Sequence, residues 1–220
     1  KMEKVREQIQ IQKQKLKCGP SSYDPIAFKN SMNLFRRCCL YVCPNFCVDD
    51  RNREIMNEIF LYLIGGSNVL DRSKGLWLYG SVGTGKSCIL KIIQMYDRYS
   101  NGKDKTGYYL QGGFPIEAAA FVANQYCKKG IDGILSYDGS NGIALGLDEV
   151  GREPKVKHYG TEMDVIQYIL QMRYDNRRSC TTFVTTNLFP EEIHLKYGEY
   201  IADRVNEMFN VVEIGGKSRR

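Results

Sequence analysis

Histidine is scarce, with only His158 and His194 in 220 residues, so histidine-based metal sites and triads have little material. No apolar run is long enough to span a bilayer, and the opening "KMEKVREQIQ" is charged and glutamine-rich, unlike a secretory leader. A soluble cytoplasmic protein with no membrane association is the expectation. Internal repeats and low-complexity tracts are missing as well. So is a surplus of one charge in the body of the chain. The formal net charge is +6, but residues 1–17 hold six basic and two acidic residues and Lys217, Arg219 and Arg220 add three, leaving residues 18–216 at −1. Overall charge therefore says little about nucleic acid, and only local clusters, such as Arg177 with Arg178 and the two termini, bear on it. The length suits one domain with at most a small appendage.

Cysteine is present eight times, at positions 18, 38, 39, 43, 47, 88, 127 and 180. In a cytosolic protein these stay reduced. "RCCLYVCPNFC" places Cys38, Cys39, Cys43 and Cys47 within ten residues, which raises a thiolate zinc site. Four ligands that close cannot easily surround one ion and lack the usual paired spacing, so ordinary thiols are the expectation and zinc the alternative.

The chemistry begins at "LWLYGSVGTGKSCIL", residues 76–90. Leu76 to Tyr79 form a short apolar run suited to a buried parallel strand. Gly80, Ser81, Val82, Gly83, Thr84, Gly85, Lys86 and Ser87 then match G-x-x-x-x-G-K-[ST]. Such a loop turns backbone N–H groups onto phosphate oxygens. Its lysine neutralises the outer phosphates and its serine gives a hydroxyl to Mg²⁺. Cys88 and the isoleucines and leucine after it continue as a helix whose N-terminus faces the same anion.

Further along, "DDRNREIMNEIFLYLIGG" predicts a helix capped by aspartates and ending near Gly65. "TGYYLQGG" predicts a strand. "PIEAAAFVANQYCKKG" predicts a helix with Pro115 near its start and Gly130 after its end. "GIALGLDEVG" is a buried strand ending in two carboxylates. "TEMDVIQYILQMRYDNRR" is a helix capped by Thr161 with basic residues at its end, "CTTFVTTN" a strand, "PEEIHLKYG" and "EYIADRVNEMF" two short helices, and "NVVEIGG" a final strand. This alternation predicts a three-layer α/β protein with a central parallel sheet.

Ligands of such sheets bind at the carboxyl ends of the strands. There Asp148 can hold Mg²⁺ with Ser87, and Glu149 can orient and deprotonate an attacking water. Asn187 can hydrogen-bond the γ-phosphate or that water without adding charge. Arg204 lies on a late helix and suits a finger supplied to a neighbouring subunit, while Arg220 suits a contact to the nucleotide in cis. The plain alternatives are solvated strand-end acids, a turn asparagine and surface arginines.

Taken in order, "GSVGTGKS", "LGLDEVGREP", "RYDNRR", "TTFVTTNL", "YGEYIADRVNEMF" and "GGKSRR" resemble the ATPase family that unites the DnaC/DnaI replicative-helicase loaders with the IstB transposition helpers. The resemblance covers about residues 50–220 and implies an AAA+ P-loop NTPase core lacking a full helical lid domain. Lys86 and Ser87 would be its Walker A groups, Asp148 and Glu149 its Walker B pair, Asn187 sensor 1, Arg204 the trans-acting finger and Arg220 sensor 2. It also implies ATP and Mg²⁺, hydrolysis to ADP and phosphate, an ATP-dependent homo-oligomer, DNA with single strands favoured, and a replicative helicase or a transposase as partner. Residues 1–50 match nothing in that family and are read as a helical or irregular lead-in that docks the partner, with 51–220 as the ATPase core. An oligomeric nucleotide switch with little hydrolysis is the reading from another class, and a small-molecule kinase is a weaker one.

Overall fold

The computed structural model describes residues 24–44, 48–50, 52–100, 113–216 and 218. The start of the predicted lead-in, residues 1–23, the strand predicted over 106–112 and Arg220 lie outside these.

The described part of the lead-in holds one helix. Helix α1 (Pro25–Val42) starts with proline in its first turn, and the Asp24 carboxylate accepts from Ile26 N–H at 3.0 Å. It buries Phe35, Cys38 and Cys39. Phe35 meets Phe60 and Tyr96, with ring centroids 5.4 and 5.8 Å apart. Two of the clustered cysteines are thus core residues, and burial pushes the Cys39 thiol up to about 12. Among the described residues no three metal-ligating side chains come together.

Helix α2 (Arg53–Ile64) ends at Gly65 as predicted, but its cap position belongs to Asn52 rather than to an aspartate. Asn52 Oδ1 accepts from Asp49 N–H at 2.9 Å, while Asp50 pairs with Arg53 on the surface.

Strand β1 (Gly75–Tyr79) leads through the glycine loop into α3 (Lys86–Ser100). The next element differs from expectation. Pro115 precedes a short strand, β2 (Ile116–Ala118), and helix α4 (Ala119–Lys129) starts only after it. Pairing of Ile116–Ala118 with Gly146–Asp148 overrides a sequence rich in helix formers. Gly130 does follow the helix.

Strand β3 (Leu145–Val150) carries the two carboxylates, and its register against the neighbouring strand shifts between Leu147 and Val150. A hairpin absent from the sequence reading follows, β4 (Val156–His158) with β5 (Thr161–Met163). Thr161 is therefore a strand residue. The cap of α5 (Val165–Asp175) is Asp164, whose carboxylate accepts from Gln167 N–H at 3.1 Å.

Strand β6 (Thr182–Thr186) ends just before Asn187. The two predicted late helices form one span, α6 (Pro190–Met208), broken at Gly198, whose φ of 80° and ψ of 164° are outside helical space. Strand β7 (Phe209–Glu213) closes the fold.

Among the described residues five parallel strands are ordered β2-β3-β6-β1-β7. One core packs α1, α2 and α3 on one face, and a second packs α4, α5 and α6 on the other. The three-layer α/β fold with a central parallel sheet is as predicted. No helix among the described residues is long and apolar enough to cross a membrane.

Candidate nucleotide site

β1 is flanked by β6 and β7, with β3 beyond β6. The carboxyl ends of these strands therefore converge on the loop after Tyr79. Lys86 is buried at the start of α3, and its ammonium donates to the carbonyls of Gly80 and Ser81, each at 2.8 Å. Burial, then the charge of Arg152, lowers its pKa. Thr84 Oγ1 donates to Ser81 O at 3.0 Å, closing the loop on itself.

Ser87 Oγ donates to Asp148 Oδ1 at 2.8 Å, and Thr185 Oγ1 donates to the same oxygen. The Thr185 hydroxyl also accepts from Glu149 N–H at 3.0 Å. One threonine of β6 thus orients both members of the acidic pair. Glu149 has φ 58°, a left-handed conformation uncommon outside glycine. Its carboxylate pairs with Arg152 at 3.1 Å, both side chains half exposed. Beyond them Glu153 is buried, accepting from the Tyr197 hydroxyl at 2.6 Å and from Gly151 N–H at 2.8 Å. Burial and then the Glu153 charge raise the Tyr197 pKa.

Asn187 follows β6 directly, is half-buried, and has no hydrogen-bond partner among the described residues. Cys88 is half-buried against Cys43 of the segment after α1, and burial first, Cys43 second, raise its thiol pKa.

The tail returns over the loop. Ile214 N–H donates to Tyr79 O at 2.8 Å. A Cβ on Gly80 would come within 2.5 Å of Ile214 O, and one on Gly83 would collide with the Ser218 hydroxyl. Both glycines have positive φ, so close approach and backbone conformation require the same residue. Ser218 is two residues before Arg220.

Arg204 is placed apart. Helix α6 runs from the carboxyl end of β6 to the amino end of β7, and Arg204 lies four residues before its end. Its guanidinium carbon sits 3.0 Å from the Tyr200 ring centroid and 4.6 Å from that of Tyr174. Nη1 donates to Tyr200 O at 3.2 Å, while Nε is buried without a partner among the described residues. Arg177 stacks on Tyr174 at 4.0 Å and pairs with Glu207 at 3.8 Å, so it is not a free surface cation. Arg72, Lys74, Arg177 and Arg178 line a separate cavity of about 540 Å³ at the amino ends of β1 and β6.

The sequence reading thus named Lys86, Ser87, Asp148 and Glu149, and the structure brings them together with Asn187 and the loop. It did not single out Thr185, Arg152 or Glu153. The position of Arg152, three residues after Glu149, was the available signal for an ion pair. Nothing local marked Thr185.

No protein-family model and no curated protein sequence matches the chain. Solved structures do share its fold. One described as a primosome component from Streptococcus pyogenes serotype M3 aligns with a TM-score of 0.54 at 22% identity, covering 78% of this chain and 84% of that one. The DnaC helicase loader aligns with a TM-score of 0.54 at 18% identity, over 79% of this chain and 96% of its own. DnaI aligns with 0.54 at 20% identity, over 81% and 89%. The chain shares the fold of these structures, two of which, DnaC and DnaI, belong to the group the motifs resemble.

Proposed function

We propose that this chain is a Mg²⁺-dependent ATPase that acts on DNA as a replicative-helicase loader. The observation that carries the reading is the hydrogen bond from Ser87 to Asp148 beside Lys86, with Glu149 fixed next to them by Thr185. That group has the composition that phosphoryl transfer to water requires.

In this reading the N–H groups of 80–85 and the Lys86 ammonium bind the phosphates of ATP. Glu149 takes the proton of an attacking water, and Asn187 orients that water or the γ-phosphate. The Ser87 hydroxyl and the Asp148 carboxylate are hard oxygen donors that fit Mg²⁺, and they would hold it. Bound there, the ion would neutralise charge on the β- and γ-phosphate oxygens. Arg220, as the resemblance implies, would contact the nucleotide in cis. Arg204, at the opposite end of the strands from its own loop, serves the nucleotide of a neighbouring copy, so the active form is an ATP-dependent homo-oligomer. The resemblance to helicase loaders supplies the partner class, a ring helicase on single-stranded DNA in the cytoplasm.

The test of the loader assignment is co-purification with Glu149→Gln, which should retain ATP and hold its partner. A replicative helicase identified by mass spectrometry is the expected result. A transposase in its place would overturn it and move the chain to the transposition helpers.

A further inference from the structure

Glu153 is a buried carboxylate that the hydrolysis described above does not use. It is 3% exposed, and each of its oxygens is engaged. Burying a carboxylate among polar partners adds little net stability over an apolar cluster of the same volume, but it selects one arrangement of the groups it bonds. What it selects here lies between the acidic pair and α6.

On one side, Glu153 Oε2 accepts from the N–H of Gly151 at 2.8 Å. Gly151 has φ 99°, and a Cβ there would lie 2.7 Å from the Leu188 side chain, so glycine lets this turn pack on the segment that follows Asn187. The turn joins back to the acidic pair, because Arg152 N–H donates to Glu149 O at 3.4 Å. Glu149 itself, at φ 58°, has a backbone conformation that persists only where its surroundings hold it. Thr185 holds it from β6, and the Glu153 carboxylate holds the turn that follows.

On the other side, Glu153 Oε1 accepts from the Tyr197 hydroxyl at 2.6 Å. The Lys196 ammonium, 3.7 Å from the same oxygen, donates to Glu153 O at 3.0 Å. Tyr197 is 1% exposed, and burial and then the Glu153 charge raise its pKa, so the hydroxyl keeps its proton and donates it to the carboxylate. The Tyr197 carbonyl accepts from Gln167 Nε2 of α5 at 3.0 Å. Both ends of Tyr197 are thus tied immediately before the break at Gly198. Helix α6 supplies a fixed post, and Glu153 is the strut from that post to the turn after Glu149.

We propose that Glu153 and Tyr197 are positioning residues for ATP hydrolysis: the Tyr197 hydroxyl fixes the Glu153 carboxylate, which through the Gly151 N–H sets the turn that aims Glu149. This rests on the ATPase reading above and adds to it a support that need touch neither nucleotide nor metal.

The experiment is steady-state phosphate release from ATP and Mg²⁺ by the full chain, comparing wild type with Tyr197→Phe and Glu153→Gln. The first removes a single oxygen, and the second keeps the shape but turns an amide toward one of the two donors. Each should lower kcat about tenfold, as a small misplacement of a reacting group does, and leave KM within about twofold. Tyr197→Phe, the milder change, decides the matter if Glu153→Gln unfolds below the assay temperature. Arg173→Met, which removes a buried donor at the amino end of β6, is the comparison for stability and should leave kcat unchanged. Mixing Tyr197→Phe with Lys86→Ala should give no recovery, unlike Arg204→Ala, since Glu149 and its phosphate loop belong to one chain. Unchanged kcat in Tyr197→Phe, or an equal loss in Arg173→Met, overturns the proposal and leaves the ATPase reading standing. Recovery on mixing would move the effect to Arg204 and overturn it too. No phosphate release by the wild type would instead remove the ATPase reading, and this one with it.

Discussion

Glu149 combines a left-handed backbone, an N–H bonded to Thr185 and a carboxylate paired with Arg152. Its neighbours thus fix where the carboxylate stands before any substrate arrives. Glu149→Gln should lower ATP turnover by about 10²–10⁴-fold while nucleotide affinity persists, read by steady-state phosphate release and by titration of a fluorescent ATP analogue. Arg173 makes a purely structural prediction. Read from sequence as a basic helix end, it is instead 1% exposed. It donates to Thr182 Oγ1 at 2.6 Å and to the carbonyls of Tyr137, Ile143 and Thr181 at 2.9–3.0 Å. Arg173→Met leaves those acceptors buried without a donor and should cost about 3 kcal/mol in urea unfolding. Asp97 gives the pH dependence. Burial raises its carboxyl to about 6, opposed in part by the N–H of Gly113. Because the folded value lies above the unfolded one near 3.8, the contribution to stability is full below the unfolded value and is lost as pH rises through about 6. Asp97→Asn should therefore raise the unfolding midpoint relative to wild type at pH 8, with the difference shrinking by pH 5.

At the scale of elements, legibility followed the range of the interaction. The glycine loop, the end of α2 at Gly65 and the break at Gly198 are set by residues adjacent in sequence, and all were readable. The three-residue strands β2, β4 and β5 are too short for periodicity to register, and pairing with distant partners creates them. That is why Pro115 and Thr161 were mistaken for helix-start residues. The approach of Ile214 and Ser218 to the loop is likewise a contact across more than a hundred residues. Within α6, Arg204 is held by Tyr200 and Tyr174. Arg204→Ala should bind ATP normally and lose turnover on the order of 10³-fold. An unchanged rate would make it a structural cation only.

The whole molecule has its phosphate loop at one end of the sheet and Arg204 toward the other, and the proposed finger role of Arg204 therefore calls for a second copy. Mixing Lys86→Ala with Arg204→Ala should restore part of the turnover each lacks alone, because some interfaces then pair an intact loop with an intact finger. Mixed oligomers without recovery would contradict a shared site. The central claim is simpler and is tested most directly by phosphate release from ATP with Mg²⁺, wild type against Lys86→Ala. Turnover by the wild type, and background rates from a Lys86→Ala variant that unfolds at the same temperature, is the result the account predicts. Equal turnover by the two proteins, or none by the wild type, would contradict it.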